Sequence, residues 1–179
     1  MKYQQTILLL ALCAVISACD IPETTMENGA ITLRDDIVTL HVSGTPDAAI
    51  NANGDLQIAD KVITINPAQR GLLMLYYQNV LDVNQTGKEM AKVGTKMGVK
   101  ALKSKIEGKS KADQNQDATT GTGLMRKLSQ RICQDSANMK TVQDQLSTQL
   151  AEFKPYGSII TQESVTSCQN DNSRTTTKD

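Results

Sequence analysis

The chain has no tryptophan, one phenylalanine and one histidine, and aromatic residues make up 3% of its 179 positions. So small an aromatic payload argues against an aromatic-rich barrel. It leaves Leu, Ile, Val, Met and Ala to form a thin core, and that set packs readily into helices. An excess of one charge sign is also missing: 19 Lys and Arg stand against 19 Asp and Glu. No global field therefore steers the protein toward nucleic acid, and any electrostatic role has to be local. At this length one hydrophobic core with appendages accounts for the chain, and a large multidomain enzyme is excluded.

The N-terminal segment is the most informative part. Lys2, the apolar run from Ile7 to Ile16, and the small residues Ser17 and Ala18 before Cys19 have the layout of a secretory signal, residues 1–18. Such a run is too short to span a bilayer and remain there. Ile16-Ser17-Ala18-Cys19 resembles the lipobox of bacterial lipoproteins. That resemblance implies cleavage after Ala18 and acylation of Cys19, with diacylglycerol on its sulfur and palmitate-type chains as the anchor. The plain alternative is an ordinary signal cut at the same bond, leaving Cys19 unmodified. Each buried methylene contributes about 0.8 kcal/mol, so two or three chains hold a protein to a membrane without a spanning helix. Asp20 resembles the inner-membrane retention signal of enterobacterial lipoproteins, which favours the periplasmic face of the inner membrane over the outer membrane.

The four cysteines then divide. Cys13 leaves with the signal and Cys19 is taken by lipid. Cys133 and Cys168 remain in an oxidising compartment, where two leftover thiols pair. Pro155 and Gly157 break the chain after Phe153, so the segment that follows can retrace the preceding helix and bring Cys168 back to Cys133. A bridge closing about 35 residues stabilises by roughly 4 kcal/mol in the chain-entropy picture. The alternative is two separate buried thiols. Two cysteines and His41 fall short of a closed zinc site, so no metal or cofactor is expected.

Residues 19–29 lack periodicity and read as a tether, residues 30–168 as a single domain, and residues 169–179 as a disordered tail. The domain opens with short runs rich in β-branched residues: Ile31 and Leu33, Ile37 to Val42, Ile50, Leu56 and Ile58, then Val62 to Ile65. Asn53-Gly54 between two of them signals a tight hairpin with both central residues at positive φ. At Asn66 the period changes. Asn66 as cap, Pro67 at the first helical position and Gln69 three residues after the cap mark a helix start. Leu72, Leu73, Leu75, Tyr76, Val80 and Val83 follow at helical spacing. Residues 86–108 and 124–153 are further helical candidates, separated by a polar loop at 109–123. The fold class is α+β: a small N-terminal antiparallel β meander followed by about three amphipathic helices.

The sharpest local charge is basic. Lys88, Lys92, Lys96 and Lys100 recur every fourth residue and are followed by four more lysines up to Lys111, with only Glu89 and Glu107 opposing them. Such a face suits anionic lipid headgroups, at about 1 kcal/mol per basic residue near the surface, or an envelope protein partner. Its plain reading is a solvated face. Gly94 and Gly98 have the spacing of a close helix approach, a signal with little specificity outside apolar segments. Gly108-Lys109-Ser110 lacks the strand and leading glycine of a phosphate loop. Asp113, Asn115 and Asp117 imitate a calcium loop, but Ala118 and Leu124 occupy its glycine and glutamate positions. No nucleophile and base pair forms around His41 in the sequence, and no catalytic residue is assigned.

From Ile37 to Gln78, the runs IVTLHV and NANGDLQIADKVITINPAQRGLLMLYYQ resemble the YggN-like family of Gram-negative envelope proteins, most specifically at Ala68-Gln69-Arg70. Glu152-Phe153-x-x-Tyr156-Gly157 is similar to the family's C-terminal end, and Met90 to Gly108 to its Gly- and Lys-bearing helix. The lipobox and a missing helical stretch between Tyr77 and Lys88 depart from the pattern. The family is a domain of unknown function, so the resemblance implies location and fold, not activity. The expectation for function is a non-enzymatic, membrane-anchored binding or structural module. The alternative is a periplasmic enzyme with a carboxylate-based site.

Overall fold

A computed structural model of the chain describes residues 24–107 and 111–174. The signal, Cys19, Asp20 and the Gly108-Lys109-Ser110 look-alike lie outside the described residues. Six short strands form one antiparallel meander in chain order: β1 Thr24–Met26, β2 Ile31–Arg34, β3 Ile37–Leu40, β4 Ala48–Asn51, β5 Leu56–Ile58 and β6 Lys61–Val62. The alternation that marked these runs has its physical result here. Ile31, Leu33, Val38, Leu40, Ala48, Ile50 and Leu56 are buried on one face, while Thr25, Thr32, Thr39 and Ala49 form a cross-strand row on the other. The antiparallel meander and the α+β class are as the sequence implies. Strand β1 is an addition, because Thr24–Met26 falls within the stretch read as tether. Pairing of Thr24 to Leu33 and Met26 to Ile31 draws that segment into the sheet.

Asn53-Gly54 does lie in a hairpin, between β4 and β5, but not in a two-residue turn with both central residues at positive φ. The tight two-residue turns fall at Asp35–Asp36 and Ala59–Asp60, whose four φ angles are all positive. At Asn53-Gly54 only Gly54 is left-handed, with φ +71°. Gly54 donates to the Asn51 carbonyl, and the Asn51 side chain accepts from the amides of Asn53 and Asp55. This is a three-residue loop closed by one left-handed glycine.

Helix α1, Pro67–Ile106, starts as expected: the Asn66 side chain accepts from the Gln69 amide and the Gln69 side chain accepts from the Asn66 amide, each at 2.9 Å. It then runs unbroken for 40 residues, roughly 60 Å, merging the first two expected helices. Helix α2 spans Lys111–Gln149, so the stretch read as a polar loop is helical instead, and Asp113, Asn115 and Asp117 lie on a continuous helix rather than a calcium-type loop. The two helices are antiparallel. Gln69 donates to the Gln149 carbonyl at the base, Asp82 lies beside Asp135 midway, and Met97 covers Gly121 further out.

The reason polar composition did not prevent helix formation is the seam. On α1, Tyr76, Val80, Val83, Gly87, Met90, Gly94, Met97, Ala101 and Ser104 alternate steps of four and three. On α2, Gly121, Met125, Leu128, Ile132, Asp135, Met139, Val142 and Leu146 do the same. These are the seam positions of an antiparallel coiled coil. After α2 a 3-10 turn, Ala151–Tyr156, reverses the chain and α3, Gln162–Arg174, packs back on α2. Residues 169–174 are therefore helical, not tail, because α3 is held to α2 by Val165, the Cys133–Cys168 pair and Asn172.

The base of this assembly is fastened by side chains at the joints. Gln143, fully buried, donates to the carbonyls of Gly157 and Ile160 and accepts from the Ile160 amide. Phe153 packs edge-on to Tyr76 at 6.1 Å between ring centroids and against Tyr156 at 5.7 Å. The Tyr156 hydroxyl donates to the Pro46 carbonyl at 2.6 Å, tying the turn to the β3–β4 loop.

Candidate functional site

Lys88, Lys92, Lys96 and Lys100 sit on the half of α1 turned away from α2, and all are exposed. A step of four residues advances about 40° around the helix. The row therefore slants over roughly 120° instead of running straight along one face. Lys103 extends it and lies 3.5 Å from Glu107. Beside this basic row is a feature the sequence reading did not single out. Val99, Leu102 and Ile106 are 61%, 62% and 78% exposed. Their steps of three and four keep them in one straight stripe, on outer positions of the coiled-coil repeat. The signal was present in the sequence: with Met97, Ala101 and Ser104 in the seam, these three cannot be. Of the small residues, Gly94 and Gly98 have open space where a Cβ would stand, whereas a Cβ on Gly121 would come within 2.5 Å of Met97. Close approach thus occurs at Gly121, not at the glycines the spacing suggested.

Ala68-Gln69-Arg70 has a mechanical role. Arg70 donates to the Asn53 carbonyl at 3.1 Å and pairs with the Asp55 carboxylate. The hydrogen bond from Arg70, then that from Asn51, holds the Asp55 carboxyl below its usual range. This motif locks the β4–β5 hairpin to the start of α1.

His41 has partners that the sequence did not reveal. Its Nδ1 lies 2.9 Å from Asp47 Oδ1, and its Nε2 lies 3.1 Å from the Thr32 hydroxyl. A hydroxyl, an imidazole and a carboxylate in that order match the connectivity of a nucleophile, base and orienting acid. The His41 and Asp47 side chains are 39% and 59% exposed, on the open face of the sheet. In that position the chain ties β2 to the β3–β4 loop. Water competes for each contact, and the depression that His41 and Asp47 line is open to solvent.

Two carboxyls are pushed up. Burial raises Glu27, in the turn between β1 and β2. Burial first and Asp82 second raise Asp135, against an opposing effect of Arg131. Asp135 occupies a seam position of α2, and its Oδ2 has no hydrogen-bond partner among the described residues. Open depressions on the surface include ones lined around Gln162 and Ser167, around Asn28, His41 and Asp47, and around Leu72 and Leu75. Neither raised carboxyl lines any of these.

Cys133 and Cys168 stand at disulfide distance, with Cα atoms 5.6 Å apart, joining α2 to α3. Among the described residues no cluster of three or more His, Cys, Asp or Glu side chains is placed to hold a metal ion, and no helix is long and apolar enough to cross a membrane. No protein-family model, curated protein or solved structure matches the chain.

Proposed function

We propose that the protein is a non-enzymatic module of a bacterial envelope, anchored by acyl chains on Cys19 to the periplasmic face of the inner membrane, with the basic outer side of α1 resting on anionic headgroups. The observation that carries this reading is the position of Ile16-Ser17-Ala18-Cys19 directly before the folded domain: four residues lie between Cys19 and β1 at Thr24, a span of at most about 18 Å over five Cα steps. The Thr24 hydroxyl donates to the Asn84 side chain at 2.6 Å, so the anchored segment meets α1 near its middle. From there the basic row extends outward along the helix. Among the segments that resemble the YggN-like family, Ile37 to Gln78 holds the Arg70 joint and Glu152 to Gly157 the Tyr156 joint of this fold, which accords with a shared scaffold.

Mass measurement of the N-terminal peptide of protein isolated from cells tests the anchor. The expected result is Cys19 carrying acyl chains, with a Cys19→Ser chain lost from the membrane fraction. An unmodified Cys19, or a Cys19→Ser chain that stays with membranes, contradicts it. The Thr32–His41–Asp47 chain supports a second reading, that of a periplasmic enzyme. It predicts a hydrolytic activity abolished by His41→Ala, and the same variant leaves the module reading untouched.

A further inference from the structure

The distal part of α1 has a conflict between its two sides. Toward α2 the seam narrows to Gly94, Ala101 and the buried Ser104, with Met97 laid over Gly121. Away from α2, the apolar side chains of Val99, Leu102 and Ile106 stand in solvent. Burying them in the seam would have stabilised the hairpin. The arrangement instead presents them outward as a continuous stripe. Lys92, Lys96 and Lys103 run along its flank, within a segment where eight lysines face two glutamates.

What covers the stripe is constrained by this charge. A second copy laid face to face would bring two lysine rows together, at a cost in repulsion. An anionic bilayer meets both features at once, its headgroups pairing with the lysines and its acyl boundary taking the apolar residues. The approach geometry agrees. Asn84, which receives the hydrogen bond from Thr24, and Leu102 lie on neighbouring lines of the coiled-coil repeat. From Asn84 to Ile106 is about 33 Å along the helix, a distance over which an anchored hairpin lies along a membrane surface.

We propose that Val99, Leu102 and Ile106 form a wedge that enters the headgroup–acyl boundary of an anionic bilayer, so that the protein contacts its membrane at a second point, away from Cys19. This rests on the membrane-anchored reading for its orientation, yet it has its own readout.

The chain lacks Trp, so Leu102→Trp supplies a single reporter, with Gln134→Trp on α2 as control. Each full-length protein is purified and mixed with, or reconstituted into, vesicles of phosphatidylethanolamine and phosphatidylglycerol. The expected result is a blue shift of Leu102→Trp emission and its quenching by acyl-chain bromines, with neither effect for Gln134→Trp and less of both on phosphatidylcholine alone. In a Cys19→Ser background, changing Val99, Leu102 and Ile106 together to Ser lowers partition onto the anionic vesicles about tenfold or more. Emission that stays red while the protein sediments with vesicles overturns the wedge and leaves the anchor standing. A blue shift that instead follows protein concentration without vesicles assigns the stripe to a second copy and also overturns it. An unmodified Cys19 overturns the anchor, and the same emission on added vesicles still decides the wedge.

Discussion

The body and the outer half of the hairpin share the same two helices but are built on opposite terms. In the body, from the sheet up to about Thr86 on α1 and Leu128 on α2, the seam carries Tyr76, Val80, Val83, Met139, Val142 and Leu146, and the sheet and the 3-10 turn cover what the helices leave open. Beyond it, Ser104 is the buried α1 residue, Met90 and Met97 are only half-buried in the seam, and Val99, Leu102 and Ile106 point outward. A helix packed on one side by glycine, alanine and serine is held chiefly by its continuity with the packed part and by helix propensity. The first region has the means to fold by itself. The second exposes the apolar side chains of Val99, Leu102 and Ile106 beside a row of lysines.

Substitutions on either side of this boundary sharpen the contrast. The largest effect is expected from Phe153→Ala, which removes a fully buried ring from between Tyr76 and Tyr156. It costs about 3–5 kcal/mol in denaturant unfolding, whereas Leu102→Ala in the outer half stays within about 0.5 kcal/mol. Equal costs would erase the distinction. Loss of the Cys133–Cys168 bridge comes next. Cys168→Ser is expected to lower stability by about 2–4 kcal/mol, because the bridge shortens the unfolded chain's reach and fixes α3 to the upper edge of the body. Alkylation of both thiols in non-reduced protein would remove the bridge from the account.

Gly54→Ala probes the joint between sheet and α1. A Cβ there meets the Arg70 carbonyl at 2.6 Å while φ remains at +71°, so a loss of about 2 kcal/mol in thermal or denaturant unfolding is expected. The smallest effect is one of sign. Asp135 has a raised pKa in the folded state, so ionisation at neutral pH costs stability, and the cost fades as pH falls toward the ordinary carboxyl value of 3.8. Asp135→Asn is expected to raise the melting temperature at pH 7 and to lose that advantage near pH 4. An advantage independent of pH would mean that burial of the charge is not its cause.

The sequence carried the body well and the hairpin poorly, for a physical reason. Period-two alternation and the Asn66-Pro67-x-Gln69 cap are local signals, and they led to the meander and to the start of α1. The pairing of Cys133 with Cys168 followed from counting cysteines and from the chain break at Pro155. Residues 111–123 looked like a loop because Asp, Asn, Thr and Gly have low helix propensity, yet the segment runs helically into the seam that Gly121 and Met125 join. Thr24–Met26 looked like tether because three residues are too few for a pattern. The His41 network spans β2, β3 and the following loop, so it arises only when the strands pair. Lys88 to Lys100 were legible as charge, but the adjoining Val99–Leu102–Ile106 stripe became visible only once the seam assigned them to the outside.

Amide hydrogen exchange on the full-length protein, with and without vesicles containing phosphatidylglycerol, tests the central claim most directly. Without lipid, the account predicts slow exchange in β2–β4 and in α1 up to about Thr86, and faster exchange from there to Ile106. With lipid, protection should rise from Lys88 to Ile106 and stay unchanged in the sheet. Unchanged exchange between Lys88 and Ile106 on vesicles that demonstrably bind the protein would contradict the account, as would new protection confined to the open face of the sheet around His41.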